Sequence, residues 1–352
     1  MIKVAAVTSG VNTPSTRFRI RQHIKNLKED GVSVKEYVPR IDKNYSPARF
    51  FGVSPKKYPL RYAAIQASKL ATRIPSVIGS YCSDVTLLSR EILPGYPSIE
   101  FIYKRPIITD IDDAIWLSRP FGKVAARNVA CRSDVLIVGN QFLASWFHKF
   151  NDNIYIVPTA VEVPSLDLES IPLESAGRDE VITIGWIGTK GNLRYLKAIE
   201  PALNEVLDVY SKKVRLLVMS DGIFSSTRKN VINISWSLDK QNKFFEAIDI
   251  GIMPLFNDEW CRGKCSFKLL QYMAYGKSSV ASPVGMNIEV INNSEGGVLA
   301  ATHREWVDGL RLLIESRSTR LAHGKKGRDH VKTYYARKVV SEKISSILHG
   351  VV

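Results

Sequence analysis

Three carboxylates crowd the run Asp110-Ile111-Asp112-Asp113-Ala114-Ile115-Trp116. Carboxylates this close, at the end of a strand, can accept hydrogen bonds from sugar hydroxyls or raise one another's pKa. The plainer reading is that Asp113 caps the helix that follows. Three other loops carry cations. Ser9–Thr16 leads into Arg17-Phe18-Arg19-Ile20-Arg21, with Pro14 fitting a helix start. Three arginines at the positive end of a helix dipole have the wrong sign, and a bound anion would relieve the conflict. A solvated basic face is the alternative. The run Gly188-Thr189-Lys190-Gly191 joins a strand to a helix, so backbone N–H groups and a cation converge as in a phosphate cradle. It has neither the G-x-x-x-x-G-K-[ST] nor the G-x-G-x-x-G spacing. A tight strand-to-helix turn that needs glycine is the simpler reading of this loop taken alone. The third loop, Trp260–Lys268, gathers Arg262, Lys264 and Lys268 at another helix start, with Ser266 as a candidate N-cap and Gly276 as the C-cap. Cys261 and Cys265 have no second Cys/His pair at metal-binding spacing, so they read as ordinary thiols.

Strands and helices must hold these loops in place. Short β-branched runs recur at Ile2–Ser9, Val32–Val38, Asp84–Ser89, Pro106–Ile111, Asp134–Gly139 and Asn153–Pro158. They recur again at Val181–Ile187, Val214–Ser220, Asn233–Ser237, Ile250–Leu255, Ser278–Ser282 and Gly297–Ala301. Near-continuous apolar strands alternating with helical patterns predict parallel sheets covered on both faces, here two doubly wound α/β domains. A further helix is expected over Leu60–Thr72. An acidic, proline-bearing stretch without helical period separates the halves. The expected division is 1–163, a linker over 164–179, a second domain over 180–330, and a last helical segment over 331–352. Open parallel sheets bind ligands at the carboxyl ends of their strands, where these loops lie.

The chain has 352 residues, 45% of them apolar, which suits two domains with their own cores. No stretch has the roughly 18 unbroken apolar residues of a membrane span, and the first ten residues read as a strand rather than a secretion signal. Four cysteines make no disulfide framework, so a cytoplasmic location is expected. The net charge is +15, and residues 1–80 hold 15 Lys and Arg against 4 Asp and Glu. That asymmetry predicts an anionic partner: nucleic acid, an acidic lipid surface or a phosphorylated substrate.

The block Lys268-Leu-Leu-Gln-Tyr-Met-Ala-Tyr-Gly-Lys-Ser-Ser-Val-Ala-Ser-Pro-Val-Gly285, with Asp249–Leu255 before it and Asn287–Val290 after it, resembles the donor-site signature of glycosyltransferase family 4. Pro14–Arg19, Ser89-Arg90-Glu91, Asp110–Trp116 and Pro158–Val161 resemble a bacterial surface-polysaccharide branch of those enzymes. The resemblance runs from about residue 2 to about residue 348. It implies a GT-B fold, two Rossmann-like domains facing an interdomain cleft, with the second holding a nucleotide-sugar donor and the last helix crossing back to the first. It implies hexosyl transfer with retention, no cofactor and no metal, and a lipid-linked or saccharide acceptor at the inner membrane face. Carried onto this chain, donor binding falls to Gly188, Thr189, Lys190, Lys264, Ser266, Lys268 and Gln271. Asp112 and Asp113 become the catalytic carboxylates, and Arg17, Arg19 and Arg21 the acceptor or anion site. The family's pattern has two Glu with seven residues between them; this chain has Gly263 and Gln271 there, with Glu259 nearby. Lysines and helix N-termini can neutralise a leaving diphosphate, which fits the expectation of no metal.

Two other readings are compatible with the residues. A nucleotide-sugar epimerase of similar build would release free nucleoside diphosphate without an acceptor-linked product. A nucleic-acid-binding protein would bind with steep salt dependence, but the chain has no RNP, KH or zinc-finger signature.

Overall fold

The computed structural model describes residues 1–11, 13–41, 58–165 and 181–352. The expected linker falls almost wholly outside these residues, as do positions 43–57 of the basic segment. The chain forms two compact units. The first contains Met1–Ala160, Gly263–Cys265 and Arg337–Val352; the second contains Val161–Arg262 and Ser266–Ala336.

Each unit is built on a six-stranded sheet whose neighbours all run parallel. In the first, β1 (Ile2–Val7), β2 (Val32–Tyr37), β3 (Val85–Ser89), β4 (Ile107–Ile111), β5 (Val135–Val138) and β6 (Ile154–Ile156) take the order β2-β1-β3-β4-β5-β6. In the second, β7 (Ile182–Ile187), β8 (Val214–Ser220), β9 (Val231–Ser235), β10 (Ile250–Met253), β11 (Ser278–Ala281) and β12 (Gly297–Leu299) take the order β12-β11-β10-β7-β8-β9. All twelve expected strands are present. β9 starts two residues earlier than its β-branched run suggests and is mostly exposed, as an edge strand is. The central strands are buried along their length: β3, β4 and β5 have no exposed residue. This is why they read as continuous apolar runs instead of alternating ones.

Helices cover both sheets. Ala202, Leu203, Val206 and Leu207 of the Glu200–Val209 helix, and Trp306, Leu310 and Leu313 of the His303–Glu315 helix, share one core with Ile184, Val218 and Ile252 of the second sheet. In the first unit, Ile20 and Leu27 pack with Val4, Ala6 and Ile108, and with Val340, Ile344 and Leu348 of the terminal Arg337–Val351 helix. The expected helical stretch near the end divides into Arg317–Tyr334 and Arg337–Val351. The helix expected over Leu60–Thr72 forms as Pro59–Ala71. Strand order reverses between β1 and β3 in the first unit and between β7 and β10 in the second. The carboxyl ends at such a reversal are where doubly wound sheets form ligand crevices.

Candidate functional site

The second unit assembles its reversal point around one helix, Phe267–Ala274. Tyr272 on this helix accepts a hydrogen bond from the Ile187 N–H at 3.2 Å and donates to the Ile252 carbonyl at 3.4 Å. It thus ties the ends of β7 and β10 together at the crevice. Burial pushes its hydroxyl well above the usual range. Gly251 makes room for the ring: a Cβ there would lie 2.3 Å from it. One helical turn before Tyr272, the Lys268 ammonium stands 4.9 Å over the Trp186 ring. It also lies 2.9 Å from where a Cβ on Gly188 would be. The glycine after β7 makes room first for the Trp186 ring, whose nearest atom would lie 2.6 Å from that Cβ, with the ammonium beside it. Thr189 and Lys190 continue the turn and are exposed, and the Lys190 N–H donates to Asp221. Gln271 is half-buried on the same helix. The helix ends as expected at Gly276, whose φ of 66° is left-handed.

One expectation for this loop needs correction. Ser266 does not cap the helix: its φ is 49°, and its buried hydroxyl donates to Asn287 Oδ1 at 2.7 Å. Asn287 in turn donates to the Ser282 carbonyl, so the hydroxyl is tied to the loop after β11. Lys264 groups with the first unit, not with Gly188 and Lys268. There its carbonyl accepts from Asn140, and its charge acts on Asp113. Gly263 belongs with it, and a Cβ at that position would meet the Ala114 backbone nitrogen at 3.0 Å. A side chain there would have to displace its neighbours by a few tenths of an ångström.

In the first unit, the carboxyl ends of β3 and β4 hold an alternating charge network. Asp110, inside β4, is buried and pairs with Arg19: Nε lies 3.0 Å from Oδ2. Burial pushes the Asp110 carboxyl up, and the Arg19 guanidinium beside it works against that rise. Arg19 also donates to the Val157 carbonyl at 2.8 Å. Arg21 pairs with Glu36 at 2.6 Å. The expected external anion for these two arginines is thus replaced by internal carboxylates that neutralise the helix start. Arg17 instead stacks on Phe18, its guanidinium carbon 4.8 Å from the ring.

Asp112 and Asp113 follow β4, and both bind Arg90 from the end of β3. Asp113 does not cap the short helix Ile115–Leu117, which has no side-chain cap. Burial pushes the Asp113 carboxyl up and Asp112 adds to the rise, while Arg90 and Lys264 oppose it. Cys265 donates to the Asp112 carbonyl at 3.3 Å, and burial pushes its thiol up to about 12, so it is a packed thiol and not a nucleophile. Sequence reasoning gave no role to Arg90 or Tyr272; their partners lie in other elements. Among the described residues no group of His, Cys, Asp and Glu is arranged to hold a metal, and no helix is long and apolar enough to cross a membrane.

The stretch that builds the β7 crevice has relatives. Residues 181–316 match the family model "Glycosyl transferases group 1". The matched stretch contains Trp186, Gly188, Lys268, Gln271 and Tyr272. No curated protein sequence matches the chain. Among solved structures, sucrose-phosphate synthase from Thermosynechococcus elongatus is similar over 99% of each chain, at 10% identity with a TM-score of 0.71. Anabaena HepE, solved in complex with UDP and glucose, is similar over 99% of this chain and 100% of its own, at 12% identity and a TM-score of 0.66. WaaG, a glycosyltransferase involved in lipopolysaccharide biosynthesis, covers the same shares at 13% identity and a TM-score of 0.62. The fold is therefore GT-B, with two Rossmann-like domains.

Proposed function

We propose that the protein is a glycosyltransferase, of hexosyltransferase type, which moves a sugar from a nucleoside-diphosphate donor to a saccharide or lipid-linked acceptor. The observation that carries this reading is the meeting of Lys268, Trp186 and Gly188 at the strand reversal of the matched stretch. A cation beside a glycine turn at the carboxyl end of β7 has the chemistry to hold a diphosphate and to stabilise it as it leaves. Lys190 and Thr189 extend the cradle, and Gln271 supplies a hydrogen-bonding group for the ribose. HepE binds UDP and glucose on a similar fold, which supports a nucleotide-sugar donor.

In the proposed reaction the bond between the sugar's anomeric carbon and the diphosphate oxygen breaks. The acceptor oxygen bonds to that carbon on the same face, and its proton passes to the departing phosphate oxygen. Asp112 and Asp113 orient the acceptor hydroxyl and support positive charge at the sugar carbon, a positioning and electrostatic role. Lysine charge serves where other transferases use a divalent ion, so turnover is expected to survive a chelator; loss of activity with EDTA and its return with manganese would contradict that. The exposed basic residues among the first 80 are read as docking on an acidic inner membrane face, each contributing about 1 kcal/mol, whereas buried Arg19, Lys69 and Arg73 do not take part. Equal co-sedimentation with neutral and acidic vesicles would remove that part. A thermal-shift screen of UDP, GDP, ADP and their sugar conjugates tests the donor reading, because ligands that bind only the folded state raise its stability. Stabilisation by one base family is expected, and none by any member would contradict it.

A further inference from the structure

Arg90 is held in an uncommon backbone conformation. Its φ is 59°, left-handed and uncommon for a side chain of this size, at a cost of about 1 kcal/mol or more. Its N–H donates to the Asp110 carbonyl at 2.9 Å, so the end of β4 maintains the turn. From that turn the guanidinium reaches two carboxylates at once: Nε binds Asp112 Oδ1, and Nη2 lies 2.6 Å from Asp113 Oδ2. All three side chains are largely buried, with exposures of 17%, 16% and 22%.

Adjacent carboxylates in a poorly solvated place repel each other, and one would normally hold a proton. The charged groups around them are few. Arg90 and Lys264 act on Asp113; Arg19, Asp110 and Cys265 lie in the field of Asp112; Glu91 acts on Arg90 from the same turn. Arg19 is engaged with Asp110. Arg90 hydrogen-bonds both members. A planar guanidinium has donors on two edges; a lysine ammonium in its place is a point charge that serves one carboxylate well.

We propose that Arg90 is the positioning residue of the acidic pair: one guanidinium, presented from a left-handed turn, fixes Asp112 and Asp113 side by side. The clamp itself is a property of the free protein. Its consequence for turnover rests on the acceptor-orienting role given to the pair above. Without Arg90, burial and mutual repulsion remain while its share of the opposing charge is gone and only that of Lys264 stays, so protons are held to higher pH.

The test uses the full chain with 13Cγ-labelled aspartate, its Asp112 and Asp113 signals assigned from Asp112→Asn and Asp113→Asn. In Arg90→Gln at least one of the two carboxyls is expected to titrate about one pH unit or more above its parental midpoint. In Arg90→Lys one carboxyl keeps its midpoint and the other rises. Unchanged midpoints in Arg90→Gln, or a lysine variant identical to the parent, would overturn the proposal. If Arg90→Gln does not fold, the lysine variant carries the test alone. With a nucleotide sugar that is turned over, the acid limb of turnover should rise with the carboxyl midpoints while the donor KM stays fixed. Midpoints that move under an unmoved acid limb would leave the clamp standing and remove the pair's role in transfer.

Discussion

Replacing Lys268 by alanine removes the ammonium that stands over Trp186 beside Gly188. The helix should survive, since alanine is a strong helix former and Tyr272 still anchors Phe267–Ala274 to β7 and β10. The lost contact with the Trp186 ring amounts to about 0.5–1 kcal/mol for a half-buried lysine, so a small drop in melting temperature is expected. The loss for a bound diphosphate is larger. One charge-assisted hydrogen bond contributes about 1.5–3 kcal/mol, which corresponds to a Kd weakened roughly 10- to 150-fold. Titration calorimetry with UDP, GDP and ADP on parent and variant measures this directly. Raising the salt should weaken binding by the parent more than by the variant, because the variant has one fewer charge to screen. An affinity equal to the parent's for every diphosphate that the parent binds would refute the assignment of Lys268 to the donor phosphates.

Three other predictions follow from the first unit. Asp112→Asn or Asp113→Asn should lower turnover at least tenfold, about 1.4 kcal/mol of barrier, with donor affinity unchanged; steady-state kinetics at the parental rate for both would make the carboxylates structural. Asp110→Asn leaves the buried Arg19 charge without its carboxylate and should cost about 3–5 kcal/mol in urea unfolding; a loss under 1 kcal/mol would contradict the burial argument. His23, buried against Ser341 and repelled by Arg19 and Arg337, has its pKa lowered from 6.5 to about 3. Its folded-state value lies below the unfolded one, so its contribution is complete above pH 6.5 and is lost as pH falls from there toward 3. His23→Gln should flatten the decline in stability between pH 7 and 5, and an unchanged slope would sink that argument.

The strand framework was legible because a parallel strand buried on both faces writes itself as a local apolar run. Helix ends set by backbone geometry were legible too: Gly276 closes its helix with a left-handed φ. The errors share one cause, which is distance along the chain. Arg19 and Arg21 look like an unpaired basic cluster because Asp110 is 91 residues away and Glu36 is 15. Ser266 looks like a cap because Asn287, which accepts its hydrogen bond, belongs to another helix. A lone arginine after β3 carries no local pattern; only the pairing of β3 with β4 brings Arg90 to two aspartates 22 and 23 positions on. In the crevice of the second unit, Gly188 and Lys268 could each be singled out from its own loop. Their proximity comes from the order of β7 and β10, which no local signal encodes.

The central claim is transfer from a nucleotide sugar, and the most direct measurement is release of nucleoside diphosphate. The purified chain is incubated with a panel of nucleotide sugars, with and without membrane glycolipid extract, and the products are followed by mass spectrometry. Release from one donor, accelerated by acceptor, accompanied by a glycosylated product and suppressed in Lys268→Ala, is the predicted result. Release that yields only free nucleotide and altered sugar with no acceptor-linked product, or no release from any donor, would contradict the account.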